Sequence, residues 1–319
     1  MNEPASEPTS FRRVAQRVSL LAGALVFAVV CGGVSAADTA AAGDFSRSVV
    51  VDGVKRHYLV HVPPAERSNA PVPVVLLLHG GYGSAVGVTR VTGGFQALAD
   101  RAGFIAVYPD AKGNHWDDGR ETLMSRTNDV AFIAVLLDTL AAEHRIDAQR
   151  VYAVGISNGG MMTLRLACEL SNRFAAVASV AANMPTALVP ACHPARAVPL
   201  VMFSGTADPL MPYAGGKVAG LAGGRVLSAP ETAAFWARAH RLAESPQTSA
   251  LPDADASDGT TTDLLSFGAG EVALYRINEG GHTWPGGTQY LPARFVGRLG
   301  RDFSANELMW AFFSRHTLP

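Results

Sequence analysis

Charged residues and cysteines are both scarce in this sequence. Only 17% of its 319 residues are charged, the formal net charge is −1, and it contains three cysteines. Because there is no basic block, a nucleic-acid partner is not expected, and the absence of an acidic tail argues against a disordered binding arm. Hydrophobic residues make up 48% of the chain, which is enough for one well-buried globular core or at most two modest ones.

The first 36 residues carry the three-part order of a cleavable signal peptide. Arg12, Arg13 and Arg17 precede an apolar run at 20–30, and small residues follow up to Ala36. A membrane anchor is the alternative, but the run is too short to span the ~30 Å hydrocarbon core of a bilayer. We therefore expect cleavage after Ala36, no membrane anchor in the mature protein, and a secreted or periplasmic location.

Export changes the chemistry expected of the cysteines. Cys31 lies in the predicted signal peptide, so Cys168 and Cys192 are the pair that remains in the mature protein. Extracytoplasmic compartments are oxidising, and disulfides form and persist there. We predict a disulfide between Cys168 and Cys192; the alternative is two buried free thiols.

After a short linker at 37–44, residues 45–319 are predicted to form one α/β domain. Its first two strand-like runs meet at Asp52-Gly53, which is a strong hairpin signal. Short apolar runs, typical of strands covered on both faces, then alternate with segments of helical periodicity. These runs lie at 72–79, 104–110, 150–155, 175–182 and 198–205, with two later strands at 263–267 and 272–277. The order predicts a mostly parallel central sheet with an antiparallel hairpin at its start.

A common insertion point for a cap, between the strand after the nucleophile helix and the strand that leads to the acid, holds only a short loop in this sequence. Between the runs at 175–182 and 198–205 lies only a short proline-containing stretch, 183–197, which is too small for a helical lid. The polar, low-complexity patch at 245–263 is interpreted as a long surface loop. We therefore expect an open cleft without a cap domain.

A lone serine stands among glycines in the stretch VYAVGISNGGMM, residues 151–162. The stretch turns from a predicted strand into a predicted helix, and a sharp corner needs small neighbours, here Gly155, Gly159 and Gly160. Ser157 at the corner would project its hydroxyl at the helix N-terminus, where N–H groups and the dipole stabilise negative charge. We interpret Ser157 as a catalytic nucleophile; the alternative is an ordinary Gly-Ser turn.

A serine nucleophile needs a base near neutral pH, and His282 is the candidate. It follows the last predicted strand in a glycine-rich loop, NEGGHTWPGG, that could bring the ring over the sheet edge. His79, in HGGYGS, is interpreted as a hydrogen-bonded support for a loop that donates backbone N–H groups. His115, His193 and His240 have no such setting, and solvated surface is the expectation for each.

The residue that orients the base should follow another strand, between Ser157 and His282 in chain order. Asp208, in FSGTADPLMPY, meets both conditions. Asp110 also follows a strand, but it precedes the nucleophile. Three other aspartates fall in the polar loop: Asp253, Asp255 and Asp258. We therefore predict that Asp208 is the acid of a Ser-Asp-His triad.

Four motifs, HGGYGS, GISNGG, GTADPLMPY and GGHTWPGG, carry a resemblance to a known family. With RTNDVAFI and YPDAKGNHW, they are similar to the polyhydroxybutyrate depolymerase-like esterases of the α/β-hydrolase superfamily, which resemble feruloyl and acetylxylan esterases. The resemblance covers roughly residues 45–315, and GGHTWPGG is its most specific part. It implies an α/β-hydrolase fold and a set of site residues. The implied triad is Ser157, Asp208 and His282; the implied oxyanion donors are the N–H groups of Gly81 and Asn158; the implied pocket-lining residues are Trp116 and Trp284.

These observations together predict an exported serine hydrolase that cleaves short-chain carboxylic esters. Hydroxyalkanoate oligomers or polyester are the expected substrates, and neither a metal ion nor a cofactor is expected. One alternative is a feruloyl or acetylxylan esterase acting on plant polysaccharide, which only the shape of the pocket would distinguish. A more distant alternative is an inactive binding module, against which the intact triad argues. Many polymer-degrading members carry a separate substrate-binding domain, and we expect none here.

Overall fold

The computed structural model describes residues 42–68, 70–122, 127–220 and 222–319. The predicted signal peptide, its cleavage site and Cys31 lie outside these ranges. The predicted linker, 37–44, extends too far, because the first strand already begins at Gly43. Asp44 pairs in register with His61 of the next strand, and its carboxylate accepts a hydrogen bond from the His61 ring at 2.7 Å.

The described residues form twelve strands and seven α-helices. The strands are β1 (Gly43–Val51), β2 (Val54–Val62), β3 (Val72–Leu78), β4 (Ile105–Pro109), β5 (Ile146–Ile156), β6 (Ala176–Val180), β7 (Leu200–Gly205), β8 (Gly216–Lys217), β9 (Arg225–Val226), β10 (Gln247–Ala250), β11 (Thr261–Phe267) and β12 (Val272–Asn278). The helices are α1 (Ala85–Thr92), α2 (Phe95–Ala102), α3 (Asp129–Glu143), α4 (Asn158–Glu169), α5 (Ala229–Ala239), α6 (Ala293–Val296) and α7 (Ala305–Phe313). In the described ranges, no helix combines the length and the apolar character that crossing a bilayer requires.

Ten strands form one sheet in the order β1-β2-β4-β3-β5-β6-β7-β12-β11-β10. The six central strands, β4 to β12 in that order, run parallel to one another. The hairpin β1–β2 joins one edge antiparallel, and its turn residues Asp52 and Gly53 both have positive φ, at 50° and 76°. The prediction of a mostly parallel sheet with an N-terminal antiparallel hairpin is confirmed.

Helices cover both faces of this sheet, which explains the continuous apolar runs of its strands. In β3, Val74, Leu76 and Leu78 face a core layer shared with α3, α4 and α5. Val75 and Leu77 point to the opposite layer, which is filled from α1, α2 and α7. Because successive strand residues alternate between faces, a strand buried on both sides must be apolar at every position.

The opposite edge of the sheet differs from its prediction. The patch at 245–263, interpreted as a loop, contains β10, which pairs antiparallel with β11. All four residues of β10 are exposed, so no apolar alternation marks it as a strand. Between β6 and β7, by contrast, residues 183–197 contain only a 3₁₀ turn, Val189–Ala191, and no lid, as predicted.

The predicted disulfide between Cys168 and Cys192 is present. The two Cα atoms are 4.9 Å apart, and the bridge joins the end of α4 to the segment before β7. Both cysteines are buried in the core layer that contains α4. The bridge therefore ties the helix that follows Ser157 to the chain that leads towards Asp208.

A buried ion pair fixes α3 to the hairpin. Arg56 of β2 donates to Asp129 Oδ1 at 2.6 Å, and both side chains are at most 2% exposed. The second carboxylate oxygen accepts the backbone N–H of Asp117 at 2.7 Å. The guanidinium also lies over the Phe132 ring, 4.0 Å from its centroid. Through Asp117, this pair holds the segment that continues into the cleft.

Loss of this pair is expected to be strongly destabilising. Asp129→Asn would leave the Arg56 charge buried and unpaired, lowering the free energy of unfolding by about 3–5 kcal/mol. Asp138 lies on the same helix, 69% exposed, in an ion pair with Arg173, so Asp138→Asn is the matched control. We expect the control to change stability by less than about 0.5 kcal/mol in urea unfolding. Equal losses of unfolding free energy in the two variants would show that the buried pair stabilises the fold no more than the exposed pair does.

Candidate active site

The predicted site residues meet at the carboxyl edge of the parallel sheet. Ser157 follows β5, Asp208 follows β7, His282 follows β12, and Gly81 follows β3. At β3 the winding of the sheet reverses, because β4 lies on one side of it and β5 on the other. Ligands of open α/β sheets bind in the crevice formed at such a point.

Ser157 occupies the corner between β5 and α4 in a strained conformation, with φ 58° and ψ −122°. The corner is so tight that a Cβ at Gly155 would lie 2.3 Å from the backbone of Gly159. A Cβ at Gly159 would lie 2.4 Å from the carbonyl oxygens of Leu78 and His79. These contacts explain why glycines surround the serine. Strain of this kind persists only where the surrounding packing enforces it, typically at functional sites.

Asp208 and His282 are joined by a hydrogen bond. The distance from His282 Nδ1 to Asp208 Oδ2 is 2.7 Å, and the two side chains are only 4% and 1% exposed. Asp208 Oδ1 accepts the backbone N–H groups of Leu210 and Met211, both at 2.8 Å, which orients the carboxylate. With Nδ1–H donated to the carboxylate, the lone pair of Nε2 is free to accept a proton.

Ser157 and His282 line the same cleft, of about 510 Å³. In the described residues, the Ser157 hydroxyl makes no hydrogen bond to the His282 ring. Such contacts are often long without substrate and tighten in the complex. Tyr290 donates its hydroxyl to the His282 carbonyl at 3.0 Å, which steadies the loop that carries the ring. This arrangement can perform nucleophilic acyl transfer.

The loop after β3 leaves the N–H group of Gly81 unused. The Gly80 carbonyl accepts the N–H of Gly83 at 3.0 Å, and the N–H of Tyr82 donates to the Asn114 carbonyl at 2.8 Å. Within the described residues, the Gly81 N–H between them donates to no acceptor. Asn158 is the first residue of α4, so its N–H lacks an intrahelical partner. Both groups are therefore available to a developing oxyanion.

His79 supports this loop, as predicted. Its Nε2 accepts the N–H of Ala111 at 3.0 Å, so Nδ1 carries the hydrogen that is donated to the Gly80 carbonyl at 2.7 Å. Burial lowers the pKa of His79, although its bond to Gly80 and the charge of Asp110 act in the opposite direction. The neutral ring therefore holds the carbonyl that precedes the Gly81 N–H.

The side chain of Asn158 anchors the nucleophile corner to the opposite wall. Its Oδ1 accepts the N–H of Trp116 at 2.8 Å, and its Nδ2 donates to Asp118 at 2.6 Å. Burial raises the pKa of Asp118, and hydrogen bonds from Arg120 and Asn158 partly offset that effect. Arg120 pairs with Asp118 at 2.8 Å and donates to the Gly223 carbonyl at 2.6 Å. The network thus reaches the β8–β9 hairpin.

The two tryptophans expected to line the pocket do not do so. Trp116 and Trp284 are completely buried and lie behind the wall of the cleft. Trp116 donates its indole N–H to the His79 carbonyl at 2.9 Å, and Trp284 donates to Asn306 Oδ1 at 2.8 Å. A buried indole N–H needs a partner, and here both partners lie in the protein interior. The prediction for this pair is therefore wrong.

His115, expected on the solvated surface, lies in the cleft wall instead. The sequence signal that could have found it is its place in YPDAKGNHW, one residue before Trp116, whose indole N–H bonds the His79 carbonyl at the start of the loop after β3. Most of the remaining lining is apolar. It includes Val88, Val91, Ile156, Met161, Leu210, Val218, Leu291 and Val296.

Exposed apolar side chains lie in the cleft lining or next to it in sequence. Among the described residues, Tyr82, Val86, Leu291 and Phe295 are between 47% and 70% exposed. Tyr82 and Leu291 belong to the cleft lining, and the other two adjoin lining residues in sequence. The cleft is therefore suited to an apolar ligand that extends beyond its mouth.

Comparison with known proteins assigns the chain to a family. The family described as "Esterase PHB depolymerase" matches residues 56–210, a range that includes the Ser157 corner and Asp208. The chain is 37% identical over 281 residues to "Putative esterase NocK" of Nocardia uniformis subsp. tsuyamanensis, covering 81% of this chain and 79% of that protein. The chain belongs to this esterase family.

Further relatives of this esterase agree with its assignment to the family. It is 25% identical to "Feruloyl esterase B" of Piromyces equi over 78% of its own length, and it spans 44% of that relative. The solved "Acetyl xylan esterase from Aspergillus awamori" has a TM-score of 0.56 at 14% identity, covering 85% of this chain and 99% of that one. This likeness supports the α/β-hydrolase fold. The protein is a carboxylic ester hydrolase of the PHB depolymerase, feruloyl esterase or acetylxylan esterase type, as predicted.

The close packing at Gly159 can be tested by adding one methyl group. Alanine normally stabilises a helix relative to glycine by about 1 kcal/mol. In Gly159→Ala we expect the opposite sign, with unfolding free energy lowered by about 3 kcal/mol or more, because the methyl meets two backbone carbonyls. Gly87→Ala in α1 is the control, since its nearest atom is the Ser84 side chain at 3.3 Å. Urea unfolding that placed Gly159→Ala at or above wild-type stability would contradict the tight corner.

Proposed function

We propose that this esterase cleaves short-chain carboxylic esters through a Ser157–His282–Asp208 triad. The observation that carries the proposal is the Asp208–His282 hydrogen bond at the sheet edge where Ser157 occupies its strained corner. Ser157 Oγ attacks the ester carbonyl while His282 Nε2 takes its proton. Asp208 holds the imidazole in the required tautomer and stabilises the imidazolium that forms.

The N–H groups of Gly81 and Asn158 then donate to the oxyanion of the tetrahedral intermediate. The intermediate collapses, the bond to the alcohol oxygen breaks, and His282 returns the proton to that oxygen. An ester of Ser157 remains. Water, deprotonated by His282, attacks this acyl-enzyme, and collapse of the second intermediate releases the carboxylic acid and restores the Ser157 hydroxyl.

Hydroxyalkanoate esters, as oligomers or polyester, are the substrate class that we propose. The family description supports this class, and the apolar cleft with its exposed apolar rim suits an aliphatic polyester chain. Feruloyl or acetylxylan esters are the second candidate, because "Feruloyl esterase B" of Piromyces equi aligns with most of this chain. We further propose that the enzyme works in the periplasm or outside the cell, where the Cys168–Cys192 bridge would persist.

The triad can be tested with a fluorophosphonate and three variants. Wild-type enzyme should be labelled on Ser157, and Ser157→Ala should be unlabelled and lose kcat by about 10⁴ to 10⁶-fold with little change in KM. In Asp208→Asn, the amide oxygen can still accept the N–H groups of Leu210 and Met211. The amide NH₂ then faces His282 Nδ1–H, so two donors meet and the hydrogen bond to the imidazole is lost. The kcat of this variant should fall by about 10⁴-fold.

Exposed Asp253→Asn is the control, with unchanged kinetics expected. Labelling at another serine, or Asp208→Asn with more than a tenth of wild-type kcat, would overturn the assigned roles.

Acyl-chain preference tests the open cleft. Without a lid over residues 183–197, we expect activity on short acyl esters and soluble oligomers that declines for long fatty acyl chains. Rates on p-nitrophenyl esters from acetate to palmitate, and on a triglyceride below and above its solubility limit, provide the measurement. A preference for palmitate, or a sharp rate increase at the lipid interface, would indicate a lipase with a lid elsewhere.

A further inference from the structure

His115 lies beside the loop after β3, residues 79–84, which we call the oxyanion loop, with one ring edge directed at Gly81. A Cβ built on Gly81 would lie 2.7 Å from His115 Nε2, closer than to either neighbouring ring carbon. The ring also belongs to the lining of the cleft that contains Ser157 and His282. A polar nitrogen thus lies against Gly81, the residue whose N–H group we assign to the ester oxyanion.

The position of this ring is fixed by its neighbours. Tyr82 packs edge-on against it, with ring centroids 4.2 Å apart and an interplanar angle of 88°. The N–H of Tyr82 donates to the carbonyl of Asn114, whose side chain donates to the Gly83 carbonyl at 2.7 Å. These contacts couple the backbone before His115 to the oxyanion loop, so the ring and the Gly81 N–H keep a constant spacing.

The imidazole is held in its neutral form. Burial lowers the pKa of His115, and the Arg120 cation lowers it further, whereas Asp118 and the Gly113 carbonyl have smaller opposing effects. A neutral imidazole has one N–H donor and one acceptor nitrogen. A hydroxyl group can both donate and accept, so it is a suitable partner for Nε2 in either tautomer.

Other polar side chains of the cleft already have partners within the protein. Both nitrogens of His79 are bonded, the Tyr290 hydroxyl donates to the His282 carbonyl, and Arg120 is engaged by Asp118 and Gly223. The His115 ring has a backbone partner in the Gly113 carbonyl, and in the described part of the chain neither of its nitrogens is hydrogen-bonded to another side chain. An apolar cleft with a few placed polar groups is the usual form of a selective ligand site.

We propose that His115 determines specificity by hydrogen-bonding a hydroxyl group of the substrate close to the scissile ester. This inference rests on the proposed function and adds a chemical requirement to it. The hydroxyl could belong to the acyl part, as in a 3-hydroxyacyl ester, or to the alcohol part, as in an ester of a polyol. His115 should therefore raise kcat/KM for substrates that carry the hydroxyl, and it should not do so for otherwise identical substrates that lack it.

Two matched substrate pairs separate these sources. One pair is p-nitrophenyl 3-hydroxybutyrate and p-nitrophenyl butyrate; the other is 2-hydroxyethyl butyrate and propyl butyrate, followed by titration of released acid. We compare kcat/KM ratios within each pair for wild type, His115→Phe and His115→Gln. Phenylalanine preserves the packing against Tyr82 without the nitrogen, and glutamine restores a polar group at similar reach.

His115→Phe should lower the ratio of hydroxylated to unhydroxylated substrate about tenfold in one pair, as expected for the loss of one hydrogen bond. His115→Gln should recover most of that ratio, and exposed His193→Phe should leave it unchanged. Loss of packing alone would lower both members of a pair equally. If His115→Phe does not fold, His115→Leu makes the same comparison.

Unchanged ratios in both pairs, with ester hydrolysis intact, would overturn the role of His115 and leave the proposed function standing. Failure of wild-type enzyme to hydrolyse any of the four esters would instead refute the proposed function, and the role of His115 with it.

Discussion

The packing of the first turn of α4 against the end of β3 is the constraint on which the site depends. Gly159 approaches the carbonyl groups of Leu78 and His79 so closely that no side chain fits between them. This approach brings the N–H groups of Gly81, after β3, and Asn158, at the start of α4, to one end of the sheet. A larger residue would push the helix away from the strand and separate the two donors.

Buried polar contacts behind the cleft fix the positions of the loop after β3 and the start of α4. The Trp116 indole supports the His79 carbonyl, and the Asn158 side chain bonds the Trp116 backbone and Asp118, which pairs with Arg120. A buried polar group left without its partner costs about 1–3 kcal/mol, so these contacts are strongly interdependent. The two N–H groups proposed as oxyanion donors are therefore oriented before substrate arrives, which is the condition for effective electrostatic stabilisation of an oxyanion.

Features with a strong local signal could be predicted from the sequence. β3 and the other central strands are apolar at every position because they are covered on both faces, and Asp52-Gly53 marks a hairpin because both residues adopt positive φ. β10 could not be predicted, because its four exposed residues carry no alternation and only its pairing with β11 makes it a strand.

By itself, the sequence determined the order of the central strands along the chain, the sharp corner at Ser157, and the meeting of Asp208 and His282 at one sheet edge. Only the tertiary structure decided whether an aromatic ring of the cleft wall faces the cleft or the protein interior. Trp284 is buried because Asn306, distant in sequence, accepts its indole N–H, and His115 faces the cleft because its ring packs on Gly81. Local sequence patterns reveal the periodicity of strands and helices and the steric demands of tight turns. The direction in which a ring points depends on neighbours that only folding brings together.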